Sequence, residues 1–173
     1  MGKYDVLDKK YFGSKERLAE LISVTLFKSR VELKAEDLLA ISCEYPSFVS
    51  VSGELARDGL WLCELHKVKY GLEVENYNDY GMPRRALVYD AAEYEKEVSE
   101  RKETLLKERK LGTFEERKSG KRKIDKEYPI INIVLYLGMG RYQGPHELRD
   151  CFYEIPKEYA PYLQGRIIIM GLH

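Results

Sequence analysis

Three acidic residues, Asp58, Glu73 and Glu75, are the strongest candidates for chemistry in this sequence. Side chains alternate between the two faces of a β-strand, so Glu73 and Glu75 would share a face if their segment is a strand. Converging carboxylates can hold Mg²⁺, which prefers oxygen ligands and can promote attack of water on a phosphodiester. The simpler alternative is that these acids form the solvated face of a half-exposed hairpin. Spacing alone leaves both interpretations open.

The segments around these acids predict a β-hairpin. Residues 60–65 (LWLCEL) and 68–77 (VKYGLEVENY) have the composition of strands, and His66 and Lys67 between them suit a turn. Asp58 immediately precedes the first strand, and adjacent strands lie ~5 Å apart, so the hairpin could bring Asp58 to the two glutamates. The second strand would divide its side chains between two faces, with Tyr70, Leu72 and Val74 on one and Gly71, Glu73, Glu75 and Tyr77 on the other.

Other segments supply helices and further strands. Residues 14–27 predict an amphipathic helix capped by Ser14, and residues 84–111 predict a long helix stopped by Gly112. The apolar stripe of the first helix comprises Leu18, Leu21, Ile22, Thr25 and Leu26. The apolar run 130–137 (IINIVLYL) predicts a strand buried on both faces. Mixed α/β is therefore the expected class.

Shorter segments complete this outline. Residues 35–40 suit a short helical turn, and residues 45–52, which contain Pro46, suit a loop or edge strand. Residues 113–126 are charged and predict an exposed connector, while residues 166–170 predict a last short strand.

Length and composition limit the class of protein. The chain has 173 residues, which suits one domain, and its 29 Lys and Arg balance 29 Asp and Glu, which argues against a histone-like coat for nucleic acid. Its three cysteines show no CxxC pair, so we expect free thiols in a reducing cytoplasm rather than a disulfide framework or zinc site. No stretch approaches the ~20 apolar residues of a membrane span. Association into a homo-oligomer stays open.

Several motifs resemble those of the recombination-promoting nuclease and transposase family, which belongs to the PD-(D/E)XK superfamily. They are SKERLAELISVTLF, ELARDG, GLEVENYNDYGMPRRALVYDAAEYEKEV and EYPIINIVLYLGMGRYQGPHELRD, and they follow in order from about Lys10 to the end. The family shows an Arg-Asp pair, a strand ending in Glu-Asn-Gln, a Met-Pro-x-Arg then Tyr-Asp segment, and a Tyr-Pro-apolar strand before a Gly-Pro turn. The resemblance implies a restriction-endonuclease-like mixed sheet flanked by helices, in a single domain spanning residues 1–173 and shortened at its C-terminus.

The same resemblance implies a DNA endonuclease that depends on Mg²⁺ or Mn²⁺. Asp58 matches the metal-binding aspartate of the Arg-Asp pair. Alignment on the shared Glu-Asn gives Glu75 as the second ligand, with Tyr77 where the family has Gln, whereas alignment from Met-Pro gives Glu73. We slightly prefer Glu75. Glu20 matches an auxiliary acidic position in the first helix.

Basic residues near these motifs could contact DNA phosphates. The candidates are Arg84, Arg85, Lys121, Arg122 and Lys123. The alternative for them is that Arg84 and Arg85 pair with nearby acids and that the connector is merely solvated.

One departure from the family keeps other functions open. The superfamily places Lys or Gln two residues after the glutamate, and neither alignment restores one. A catalytically inactive remnant of the same fold, binding DNA or a protein partner, is therefore the second interpretation. A purely structural or oligomerising α/β module is the third.

Overall fold

A computed structural model describes residues 10–30, 32–50, 53–154, 156 and 168–171. Its helices are α1 (Lys15–Thr25), α2 (Met82–Lys107) and α3 (Phe114–Ser119), with short 3-10 turns at Ala35–Asp37 and Leu148–Cys151. Its strands are β1 (Leu39–Ala40), β2 (Glu44–Ser50), β3 (Gly53–Ala56), β4 (Gly59–Cys63), β5 (Val68–Glu75), β6 (Ile130–Tyr136) and β7 (Ile168–Gly171). The mixed α/β class predicted from the sequence is confirmed.

The main sheet has five strands in the order β1-β4-β5-β6-β7. Strands β4 and β5 form the predicted antiparallel hairpin, in which Gly59 pairs with Leu72. Strand β6 lies parallel to β5 on its other side, with Val134 opposite Glu73, and helix α2 lies in the crossover between these strands. Strands β2 and β3 pair with each other in a separate sheet. Strand β5 therefore has a partner strand along both edges.

Helix α1 covers the apolar face of β5. Ser14 is its N-cap, as predicted, and its hydroxyl accepts a hydrogen bond from the Arg17 amide at 3.4 Å. Leu18 and Ile22 of the predicted stripe are fully buried, whereas Thr25 is exposed. Beneath the helix lies a continuous core that includes Trp61, Tyr70, Leu72, Val74, Ile133 and Leu135. Each buried aliphatic side chain of this kind stabilises the fold by about 1.5–3 kcal/mol.

Helix α2 packs on the opposite face of the sheet. Met82 and Ala86 contact Val134 of β6, while Tyr89 and Ala92 pack with Tyr45 of β2. The apolar part of this contact is small, and polar side chains fill the rest. The sheet is therefore covered by a helix on each face, with an apolar layer on one side and a mixed layer on the other.

Helix α2 ends earlier than predicted, at Lys107 rather than near residue 111. Arg109 adopts a left-handed backbone with φ of 54°, and the Lys110 amide donates to the Leu105 carbonyl at 2.9 Å. A left-handed residue interrupts the helical repeat, so the chain turns before it reaches Gly112.

The predicted connector at 113–126 also proved wrong in part, because it contains helix α3. Thr113 accepts a hydrogen bond from the Glu116 amide at 3.1 Å, and the Glu116 side chain accepts from the Thr113 amide at 3.2 Å. This is a reciprocal capping box, and Gly120 closes the helix with φ of 72°. Residues 35–40 form a 3-10 turn only at 35–37, and the predicted hairpin strands end at Cys63 and Glu75.

Two simpler expectations can also be compared with the structure. The three cysteines, Cys43, Cys63 and Cys151, are free thiols, as predicted. None of the helices formed by the described residues has the length and apolar character of a membrane-spanning segment.

Candidate active site between strand β5 and helix α2

The face of β5 that meets α2 carries charged side chains. Glu73 and Glu75 lie there and are each only 6% exposed, because the helix covers them. The prediction that they share a face with Gly71 is confirmed by the strand geometry, and the alternative of a solvated face is wrong. Tyr77 follows the end of the strand and is 59% exposed, so it does not belong to this covered face.

Arg85, near the start of α2, contacts both glutamates. Its Nη2 lies 3.3 Å from Glu73 Oε2 and forms a closer ion pair with Glu75 Oε1. Its Nη1 lies 2.9 Å from Asp79 Oδ2. One guanidinium therefore serves three carboxylates, and the group keeps an excess of negative charge. The alternative proposed for Arg85, pairing with nearby acids, is confirmed.

Arg57 is a second guanidinium beneath the helix, and its side chain is fully buried. Its Nη2 lies 2.9 Å from Asp90 Oδ1, and its Nε lies 4.0 Å from Glu73 Oε1. A Cβ atom at Gly71 would overlap Arg57 Nη1, so the glycine makes room for this side chain. The guanidinium carbon lies 5.2 Å from the ring centre of Tyr89, in a cation–π contact.

Asp58 is held against the same strand. Its Oδ2 accepts a hydrogen bond from the Val74 amide at 2.8 Å, so the carboxylate reaches the backbone between Glu73 and Glu75. Asp58 is partly exposed, whereas both glutamates are buried. The hairpin therefore brings Asp58 to the segment that carries the glutamates, as the sequence predicted.

Burial changes the acid–base properties of neighbouring groups. It raises the pKa of Asp90, although hydrogen bonds from Arg57 and Asn132 oppose the change. It also raises the pKa of Tyr89 to about 12, with a further contribution from the charge of Glu73. The Tyr89 phenol is therefore neutral at physiological pH and can act only as a hydrogen-bonding and packing group.

Lys69 forms a third buried ionic group that the sequence did not suggest. Its Nζ lies 2.7 Å from Glu93 Oε1 and 2.8 Å from Glu97 Oε1, and its side chain is fully buried. Glu93 and Glu97 are one helical turn apart on α2, and Lys69 has the same strand parity as Glu73. This parity was the sequence signal for the position of Lys69, because a lysine an even number of residues from Glu73 and Glu75 must share their face of the strand.

Other predicted site residues lie apart from this group. Glu20 is exposed on α1, which covers the opposite face of the sheet, and it pairs with Arg17 at 3.2 Å. Arg84 is exposed at the start of α2. In the connector, Lys121 pairs with Glu127 and Arg122 pairs with Asp125, so solvated ion pairing describes both of these basic residues.

The donor set of the site suits a hard divalent cation. Asp58, Glu73 and Glu75 offer only carboxylate oxygens, which Mg²⁺ and Mn²⁺ prefer. Within the described part of the chain, no three His, Cys, Asp or Glu side chains are grouped as a formed metal cage. The Arg85 guanidinium stands against Glu73 and Glu75, where it supplies positive charge to both.

No protein-family model, curated protein or solved structure matches this chain.

Proposed function

We propose that the protein is a Mg²⁺- or Mn²⁺-dependent DNA endonuclease of the PD-(D/E)XK type. The carrying observation is that Asp58 accepts a hydrogen bond from the Val74 amide, between Glu73 and Glu75 on the neighbouring strand of one hairpin. Both glutamates are almost completely buried beneath α2. Buried acids in excess of their cations are costly for folding, so their presence favours a functional role.

The architecture is compatible with this proposal. The sheet is mixed, and helices α1 and α2 cover its two faces. Asp58 immediately precedes β4, and the glutamates lie on its partner strand β5. This is the relation expected from the motifs that resemble the nuclease and transposase family.

Asp58 and Glu75 are the preferred metal ligands, with Glu73 as the alternative. Glu73 lies between two guanidinium groups, those of Arg85 and Arg57, and so its charge is already compensated from two sides. Glu75, by contrast, forms its ion pair with Arg85. A bound divalent ion would stabilise the charge of a phosphodiester under attack and lower the pKa of a bound water. Arg84, exposed at the helix start, would contact a neighbouring phosphate.

The test is nicking of supercoiled plasmid DNA by the purified protein with Mg²⁺ or Mn²⁺. We expect nicking by the natural sequence and loss of nicking in Asp58→Asn, a substitution that keeps an oxygen to accept the Val74 amide but removes the charge. Glu64→Gln is the matched control, because Glu64 is an exposed acid on the same hairpin. Equal, background-level nicking by all three proteins would show that the enzyme proposal is wrong.

A second candidate is an inactive domain of the same fold that binds DNA. The specific observation in its favour is that the Arg85 guanidinium forms ion pairs with both glutamates. It predicts salt-sensitive binding to duplex DNA without cleavage, since phosphate contacts weaken as salt rises.

A further inference from the structure

We propose that Arg85 is an exchangeable cation of this site. Its guanidinium holds Glu73 and Glu75 when no metal is bound, moves away when a divalent cation arrives, and then becomes a phosphate-binding group. This inference rests on the proposed function, since it concerns the same metal site.

The carboxylates around Arg85 outnumber the cations that contact them. Arg85 is the cation in contact with three carboxylates, those of Glu73, Glu75 and Asp79. With Arg57 and its partner Asp90 included, two positive charges face four negative charges, so the group is short of compensation. A divalent cation at the glutamates would correct that shortage, and it would also remove the reason for Arg85 to stay there.

The two terminal nitrogens of Arg85 contact different carboxylates, which permits such an exchange. Nη2 contacts the two glutamates, whereas Nη1 lies 2.9 Å from Asp79. Asp79 is firmly held, because its Oδ1 accepts from the Gly81 amide at 2.7 Å and its carbonyl accepts from the Tyr142 hydroxyl at 3.0 Å. The guanidinium can therefore release the glutamates while it keeps its contact with Asp79.

Of the two arginines, Arg85 is the one with room to move. The Arg85 side chain is 29% exposed, so it has a path to solvent, whereas the Arg57 side chain is fully buried and bonded to Asp90. Within the described residues, the buried Arg57 Nε has no hydrogen-bond partner and lies 4.0 Å from Glu73. Arg57 would therefore continue to compensate Glu73 after Arg85 leaves.

Two predictions from the sequence cannot both hold in one state of the site, but the exchange lets each hold in its own state. The sequence assigned Glu73 and Glu75 to a metal and Arg85 to DNA, yet in this structure they bind each other. In the exchange, metal binding releases the Nη2 donors of Arg85, which can then contact a phosphate while Nη1 stays on Asp79. Metal and DNA would then bind cooperatively through one side chain.

The test is calorimetric titration with Mn²⁺ of the natural sequence, Arg85→Gln and the matched control Lys107→Gln. Removal of the competing cation should tighten Mn²⁺ binding by Arg85→Gln about tenfold, within the usual range of coupling between sites. Lys107→Gln removes an exposed positive charge at the other end of α2 and should bind Mn²⁺ like the natural sequence. If Arg85→Gln does not fold without metal, Arg85→Lys serves instead, and its single ammonium should give a smaller tightening.

A second measurement addresses the phosphate contact. The affinity for a labelled duplex, verified as intact by gel, is measured against salt with and without Mn²⁺. We expect Mn²⁺ to steepen the slope of log affinity against log salt by about one in the natural sequence, and not in Arg85→Gln. An equal slope in both proteins would overturn the phosphate role.

The outcomes separate this inference from the proposed function. If Glu75→Gln abolishes Mn²⁺ binding but Arg85→Gln binds Mn²⁺ no more tightly than the natural sequence, the exchange is wrong and the metal site stands. If neither the natural sequence nor Arg85→Gln binds Mn²⁺, and neither nicks DNA, the proposed function and the exchange fail together.

Discussion

The two faces of strand β5 are both buried, but one carries apolar side chains and the other carries charged side chains. On one face, Tyr70, Leu72 and Val74 are at most 2% exposed and pack against the apolar stripe of α1. On the other face, Lys69, Glu73 and Glu75 are equally well covered, but by the arginine and carboxylate side chains of the region around α2. Burial is similar on the two faces, and only the chemistry differs.

This difference separates stability from function. The apolar face stabilises the fold simply by leaving water, whereas buried ion pairs are often no better for stability than apolar side chains of the same volume. We infer that a face that keeps Glu73, Glu75 and Arg85 serves a role other than stability, and the proposed metal site would be that role.

The largest expected effect comes from breaking a buried ionic group. Lys69→Met would leave Glu93, which is 1% exposed, without its cation, and should lower the free energy of unfolding by about 3–5 kcal/mol. Urea unfolding measures this value. The double variant Lys69→Met with Glu93→Met should recover most of the loss, because it replaces the buried pair by apolar groups and leaves Glu97 with 23% of its side chain exposed.

A matched control lies on the other face of the strand. Leu72→Ala removes a fully buried apolar side chain and should cost about 2–5 kcal/mol through the cavity it leaves. If the double variant at Lys69 and Glu93 proves no more stable than Lys69→Met alone, the charged face is not held together in the way that we describe.

A smaller effect is expected from the glycine under Arg57. In Gly71→Ala the new methyl group would overlap Arg57 Nη1. Asp90 holds the same guanidinium through Nη2, so the variant should lose about 1–3 kcal/mol in urea unfolding. Gly112→Ala is the control, because the nearest atom to a Cβ there is the flexible Glu116 carboxylate at 3.6 Å. Equal stability of the two variants would contradict the close approach of Arg57 to the strand.

Local pattern predicted the elements of the sheet well. The alternation of residues 68–75 gave the correct division of side chains between the faces, and the apolar run at 130–137 became β6, which is buried on both faces. Ser14 caps α1 as predicted. These features depend on neighbours along the chain, so a single sequence contains them.

The burial of the glutamates depends on distant residues and could not be predicted in this way. Arg85, which contacts Glu73, and Glu93, which contacts Lys69, both lie on α2. Which helix positions meet the strand is set by how α2 packs across the sheet. A polar residue on a hairpin has the same local pattern whether water or a helix covers it. Helix α3 was missed for a different reason, because its signal, the capping box of Thr113 and Glu116, was present but lay within a charged segment.

The most direct test of the central claim is the effect of Mn²⁺ on the thermal unfolding midpoint of the natural sequence and of Glu75→Gln. A ligand that binds only the folded state at ~100 times its Kd stabilises by about 2.7 kcal/mol, which should raise the midpoint by about 5–10 °C in a protein of this size. We predict that rise for the natural sequence and its loss in Glu75→Gln. An unchanged midpoint in the natural sequence, or an equal rise in both proteins, would contradict a metal site on the charged face of β5.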